Sequence, residues 1–178
     1  MNKLAVIVFA LALSGCANSQ THATHSISQS DVTSISVSTP SQFSVKRVVV
    51  LANGVAEIMN SLDAKSILVG RDISSSETAL SDIPIVTSGH QVLSEKVIGL
   101  NPDLVIIDAS TGPKSAIDQI RSAGIKIVQT PESWTLADIA VKVSAVASAI
   151  GAPAQGDLLN QAMKAQVQSS SVASTPRI

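Results

Sequence analysis

His90 is the side chain in this sequence best equipped for chemistry, because a neutral imidazole can ligate a metal such as iron through one nitrogen while a hydrogen bond fixes the other. It stands in Thr87-Ser88-Gly89-His90-Gln91 and is the only histidine outside a polar stretch between Ala17 and Ser44, the alternative being a loop histidine in water. Gly89, directly before it, lets the backbone approach a flat ligand closely. Ser110-Thr111-Gly112 leads into Pro113, which suits a first helical turn, and free amides at such a start attract carboxylates or phosphates. A plain turn into a helix is the alternative there, since neither a Walker spacing nor G-x-G-x-x-G occurs. Trp134, the single tryptophan, can stack on an aromatic ligand or pack over the end of a sheet. Asn53, between Ala52 and Gly54, is the polar member of another small-residue segment. Glu95 complements the positive start of its own helix, or meets an arginine on a partner.

What must position these residues is a regular alternation that begins at Arg47. Apolar runs at Val48–Leu51, Ile67–Val69, Ile83–Val86, Leu104–Ile107 and Ile125–Val128 predict short buried strands. Helical patterns lie between most of them. Val55, Ile58, Met59 and Leu62 share one helical face, and Leu93, Val97 and Leu100 do so more briefly, with Ser94 placed to cap. Gly124 suits the left-handed residue that ends the helix after Pro113. The longest pattern runs from Leu136 to Ile150, opened by a capping-box pair, Thr135 and Asp138, and closed by Gly151 and Pro153. Gln155 to Gln168 forms a further, weaker helical pattern before an end expected to be disordered, 169–178. Such an alternation predicts a small doubly wound α/β domain, with a parallel sheet of about five strands and flanking helices. Open parallel sheets bind ligands beyond the carboxyl ends of their strands. The segments holding Asn53, Gly89 and His90, Ser110 to Gly112, and Trp134 all follow apolar runs, so they are expected along one edge.

Composition agrees with that architecture. The chain is 45% hydrophobic but only 2% aromatic, so its core must be built from Val, Ile, Leu and Ala, the residues of strands covered on both faces. A net charge of -1 offers no basic patch for nucleic acid. Lys3, the apolar run Leu4 to Leu13 and the tetrapeptide Leu13-Ser14-Gly15-Cys16 describe an export signal over residues 1–15. The run is about half of the ~20 residues a membrane-spanning helix needs. The tetrapeptide resembles the bacterial lipobox, in which cleavage falls before the cysteine and lipid on Cys16 moors the protein to a membrane. Residues 16–44, rich in Ser, Thr, Gln and Asn, are expected to be a flexible tether, with His22 and His25 solvated.

The segments Arg47–Leu51, Glu57–Leu62, Leu68-Val69-Gly70, Leu93-Ser94-Glu95-Lys96-Val97, Leu100–Ile106, Gly112-Pro113 and Ile120–Ile125 together resemble the N-terminal lobe of the haemin, corrinoid and siderophore-binding proteins of ABC importers. The likeness covers about Val45 to Gln168. It implies a class III substrate-binding protein whose two lobes, joined by a long helix, hold ligand between them. The chain stops near where that helix should begin, so the C-terminal lobe is expected to be absent and the chain to be a fragment. Ser88-Gly89-His90, Leu93-Ser94-Glu95 and Ser110-Thr111-Gly112-Pro113 are most similar to the haem-binding lipoproteins of Gram-positive bacteria. By that resemblance His90 is an axial ligand of haem iron, and Glu95 salt-bridges arginines of the membrane permease. The opposing ligand in such proteins is commonly a tyrosine of the other lobe, and this chain has no tyrosine.

The resulting expectation is a binding protein anchored through Cys16 to the outer face of the cytoplasmic membrane. Haem is its transported ligand rather than a catalytic cofactor, the Thr111-Gly112 helix start lies near the propionates, and a corrinoid or ferric siderophore is the alternative cargo. An enzyme is disfavoured, since there is no nucleophile elbow, metal-ligand triplet or phosphate loop, and His90 with Asp108 lacks a nucleophile. A surface lipoprotein without transport function is the third class.

Overall fold

The computed structural model describes residues 35–36 and 42–173. Cys16, the export signal, most of the expected tether with His22 and His25, and residues 174–178 lie outside the described residues. Four parallel strands form the central sheet: β1 (Val48–Val50), β2 (Leu68–Gly70), β5 (Leu104–Ile107) and β6 (Lys126–Gln129), in the order β2-β1-β5-β6. The pairing register sets Val48 beside Leu104, Val50 beside Ile106, and Ile106 beside Val128.

Alternation along these strands builds two cores. Val48, Val50, Leu104 and Ile106 face α1 (Val55–Ser61), α4 (Leu136–Ile150) and the start of α5 (Pro153–Ala173). Val49, Leu51, Val105 and Ile107 face α2 (Ser94–Gly99) and α3 (Lys114–Ser122). Both faces are therefore covered, which is why the strands read as unbroken aliphatic runs.

The run Ile83–Val86 makes a single bridge, Arg71 to Ile85, rather than a full fifth strand. Pro84 has no N–H to donate to a ladder. Its carbonyl instead accepts from Arg71 N at 2.9 Å. The buried Arg71 guanidinium closes the preceding loop by donating to the carbonyls of Ser75 (2.6 Å), Leu80 (3.0 Å) and Ile83 (3.1 Å). An antiparallel hairpin that the apolar pattern does not predict follows, formed by β3 (Thr87–Ser88) and β4 (Gln91–Val92).

Ser94 is not the cap of its helix. It occupies the first helical position, and its hydroxyl donates to Gln119 Oε1 on α3, tying the two helices together. Gly124 and Gly151 do take the left-handed conformation, at φ 80° in each case. The capping box of α4 forms as expected, with Asp138 N donating to Thr135 Oγ1 at 3.2 Å and Thr135 N donating to Asp138 Oδ2 at 2.9 Å. Thr135→Ala should cost about 1 kcal/mol of stability, readable as a lower urea midpoint at unchanged slope.

α5 runs to Ala173, five residues beyond the Gln168 expected from the apolar pattern. It lies close against α4 because Gly156 has no side chain, and a Cβ there would stand 2.6 Å from Ala147 Cβ. Within the expected tether, Ile35 and Phe43 are partly buried against the first core, and Ser44 N donates to Ile150 O at 2.9 Å. Those apolar side chains hold the segment to the domain at these points.

Candidate functional site

In the order β2-β1-β5-β6 the chain leaves β1 for one side of the sheet and later returns on the other, so the reversal falls between β1 and β5. Ligand crevices of open α/β sheets form at such a point, outside the strand ends. Here the two loops that leave β1 and β5 are bonded to one another through Asp108. Its Oδ2 accepts from Asn53 N at 3.0 Å, and its Oδ1 accepts from Ser110 N (3.0 Å), Ser110 Oγ (2.7 Å) and Thr111 Oγ1 (2.9 Å). Thr111 Oγ1 also lies 3.2 Å from the Leu51 carbonyl. Burial pushes the Asp108 carboxyl up, but the bonds from Ser110, Asn53 and Thr111 outweigh it and leave the group below its ordinary range.

The β3–β4 hairpin docks on the same edge. Gln91 bridges to Gly112, and Val92 N donates to Gly112 O at 2.9 Å. That contact brings the hairpin turn, Gly89-His90, beside Ser110, Thr111 and Gly112. Together with Asn53 these residues line a cleft of about 240 Å³, walled by Leu51, Ile73 and Val92. Asn53, Gly89, His90, Ser110, Thr111 and Gly112 thus share one hollow.

Two details differ from the sequence expectation. Gly89 serves a left-handed turn, at φ 57°, and a Cβ there would meet open space, so close backbone approach is not what its place in the fold requires. His90 is exposed, and no hydrogen bond fixes its ring among the described residues.

A second hollow, of about 140 Å³, adjoins the first and is lined by Asn53, Asp108, Ser110, Glu132, Ser133, Trp134 and Lys142. Asn53 and Ser110 belong to both, so the two form one trough. Trp134 is 85% exposed, which removes the packing alternative for its indole. Glu95 stands apart from the trough, exposed on the first turn of α2.

Sequence reasoning missed the loop after β2 and one lysine of α4. Asp72, Ile73 and Ser74 line the cleft and follow β2 as directly as Asn53 follows β1, so the strand-end rule itself carries the signal for them. Thr87 also lines it, and its hydroxyl accepts from Ile73 N at 3.0 Å. Lys142, from the middle of α4, reaches the trough floor with only 4% of its surface exposed and donates to Asn53 O at 2.8 Å. No sequence signal marks it.

The family model described as periplasmic binding protein matches residues 48–171, which takes in the whole sheet and the trough. This chain belongs to that family. Its members are binding proteins rather than enzymes. A solved structure of the haem-binding protein HmuT is 30% identical, with a TM-score of 0.69 over 80% of this chain and 52% of that one. The periplasmic haem-binding protein RhuT of Roseiflexus sp. RS-1 is 29% identical, with a TM-score of 0.65 over 70% and 48%. The periplasmic haem-binding protein BhuT, solved with two haems, is 27% identical, with a TM-score of 0.64 over 72% and 50%. The chain therefore spans about half the length of the solved structures it matches. No curated protein matches it.

Proposed function

We propose that this periplasmic binding protein chain forms one wall of a haem-binding cleft in the substrate-binding component of an ABC importer. The observation that carries the reading is the convergence of the Gly89-His90 turn and the Ser110–Gly112 loop on one trough at the sheet's switch point, beside an exposed indole. An exposed imidazole above the apolar walls Leu51, Ile73 and Val92 suits an axial ligand to iron in a flat macrocycle. Trp134 offers a face on which such a ring can stack. The similarity to HmuT, RhuT and BhuT supports haem as the cargo. Glu95, exposed and away from the trough, is free to meet an arginine of the membrane permease. Lipid on Cys16 would moor the protein outside the cytoplasmic membrane. In this reading residues 45–168 correspond to the N-terminal lobe of the family, and the protein carries haem without altering it.

Haemin titrated into the protein should give a shifted Soret band, and His90→Ala should remove that shift. A shift that survives the substitution would refute iron ligation by His90, and no shift with the wild-type protein would turn the assignment toward a corrinoid or ferric siderophore.

A further inference from the structure

We infer that Lys142 forms a carboxylate-binding subsite at the floor of the trough, which takes an acidic substituent of the ligand while the ring lies over the cleft beside His90. The inference rests on the proposed haem cargo and deepens it.

Lys142 is buried, yet it forms no ion pair among the described residues. Its ammonium carries three N–H donors, and the single bond described for it, to the Asn53 carbonyl, uses one. A buried ammonium held only by a carbonyl lacks the opposite charge that would offset its loss of water. The neighbouring acids do not answer that charge. Asp108 borders the same hollow, but its oxygens accept from Asn53, Ser110 and Thr111, and Lys142 is not among its described partners. Asp72, across the cleft, is held by the hydroxyls of Ser74 and Ser75. Glu132 lines the same hollow as Lys142 but is exposed.

An incoming carboxylate would meet the free N–H groups in a charge-assisted pair, shorter and stronger than a neutral one. Ser133 and the Trp134 indole border the same space. Because Asn53 and Ser110 line both hollows, a ring over Leu51, Ile73 and Val92 can extend a side arm to Lys142 without leaving the trough. The ligand class this recognises is a flat apolar ring bearing at least one carboxylate. That places the carboxylate on a side-chain ammonium rather than on the backbone amides after Gly112.

The test separates this subsite from iron ligation by using a porphyrin without metal. Protoporphyrin IX and its dimethyl ester are titrated by fluorescence into the full chain, Lys142→Met and Lys142→Arg. The wild-type protein should bind the free acid about tenfold or more tightly than the ester, the ratio expected for one bond to a charged group. Lys142→Met should abolish that preference, and Lys142→Arg should keep part of it. Equal binding of acid and ester by the wild type, or binding of neither, overturns the inference without recourse to any variant. A preference that survives in Lys142→Met overturns it as well. If the acid preference holds while haemin's Soret band ignores His90→Ala, the iron-ligand reading fails alone. The converse result removes the Lys142 subsite and leaves His90 in place.

Discussion

Ile106→Ala should lower the unfolding free energy by about 2–5 kcal/mol, the range for removing most of a fully buried aliphatic side chain. Ile106 has no solvent exposure and sits on β5, hydrogen-bonded on both sides to β1 and β6. Its side chain enters the core shared with α1 and α4, where the neighbours are themselves buried and cannot close the space without moving helices. A domain of this size has roughly 5–15 kcal/mol in total, so the variant should show a far lower urea midpoint and a reduced yield of folded protein. Leu136→Ala is the control. Leu136 lies on α4 but is 61% exposed, so its loss should change the midpoint little. Equal effects from the two substitutions would contradict the described core.

Asp108→Ala should be the most damaging single change at the trough. It strips the charged acceptor from Asn53 N and Ser110 N, and each lost bond to a charged group costs about 1.5–3 kcal/mol. The loops after β1 and β5 lose the carboxylate that joins them, so haemin binding should weaken together with stability. Asp108→Asn keeps the shape and one acceptor, and should retain more of both.

The same carboxylate predicts an acid dependence with a definite sign. Its folded pKa lies below the ordinary value, about 3.9 in an unfolded chain, so its ionised form is favoured by folding. That contribution is complete above roughly pH 4 and is lost as pH falls through the depressed folded value. Urea midpoints of the wild type and Asp108→Asn, compared from pH 7 down to pH 3, should therefore differ by a constant amount until about pH 4 and converge below it. A difference that widens on acidification would contradict the assigned direction.

Much of the architecture was legible because it rests on local chemistry. Thr135 and Asp138 cap α4 through bonds spanning three residues, and Gly124 and Gly151 end helices in a conformation that side chains rarely adopt. Part of the family resemblance is fold-making in the same way. Within Leu100-Asn101-Pro102-Asp103, Asp103 Oδ2 accepts from Lys46 N and Arg47 N at 2.8 and 3.0 Å, and the Arg47 guanidinium donates to the Leu100 and Asn101 carbonyls. Those bonds secure the start of β1, at the opposite end of the strands from the trough. A match through this segment therefore speaks for the fold and not for the ligand.

Unbroken Val and Ile runs alternating with helical patterns were enough to predict a parallel sheet covered on both faces and to mark which strand ends hold small and polar residues. Tertiary contacts alone make β1 and β5 neighbours, dock Gln91 of a two-residue-strand hairpin on Gly112 so that His90 reaches the trough, and leave Trp134 in solvent. They also decide the place of Lys142, which in Val141-Lys142-Val143 looks like an ordinary helix-surface charge. The difference is one of range. Caps and periodicities are settled over three or four residues, whereas the burial of Lys142 against Asn53 joins positions 89 residues apart and depends on the strand order that brings them together.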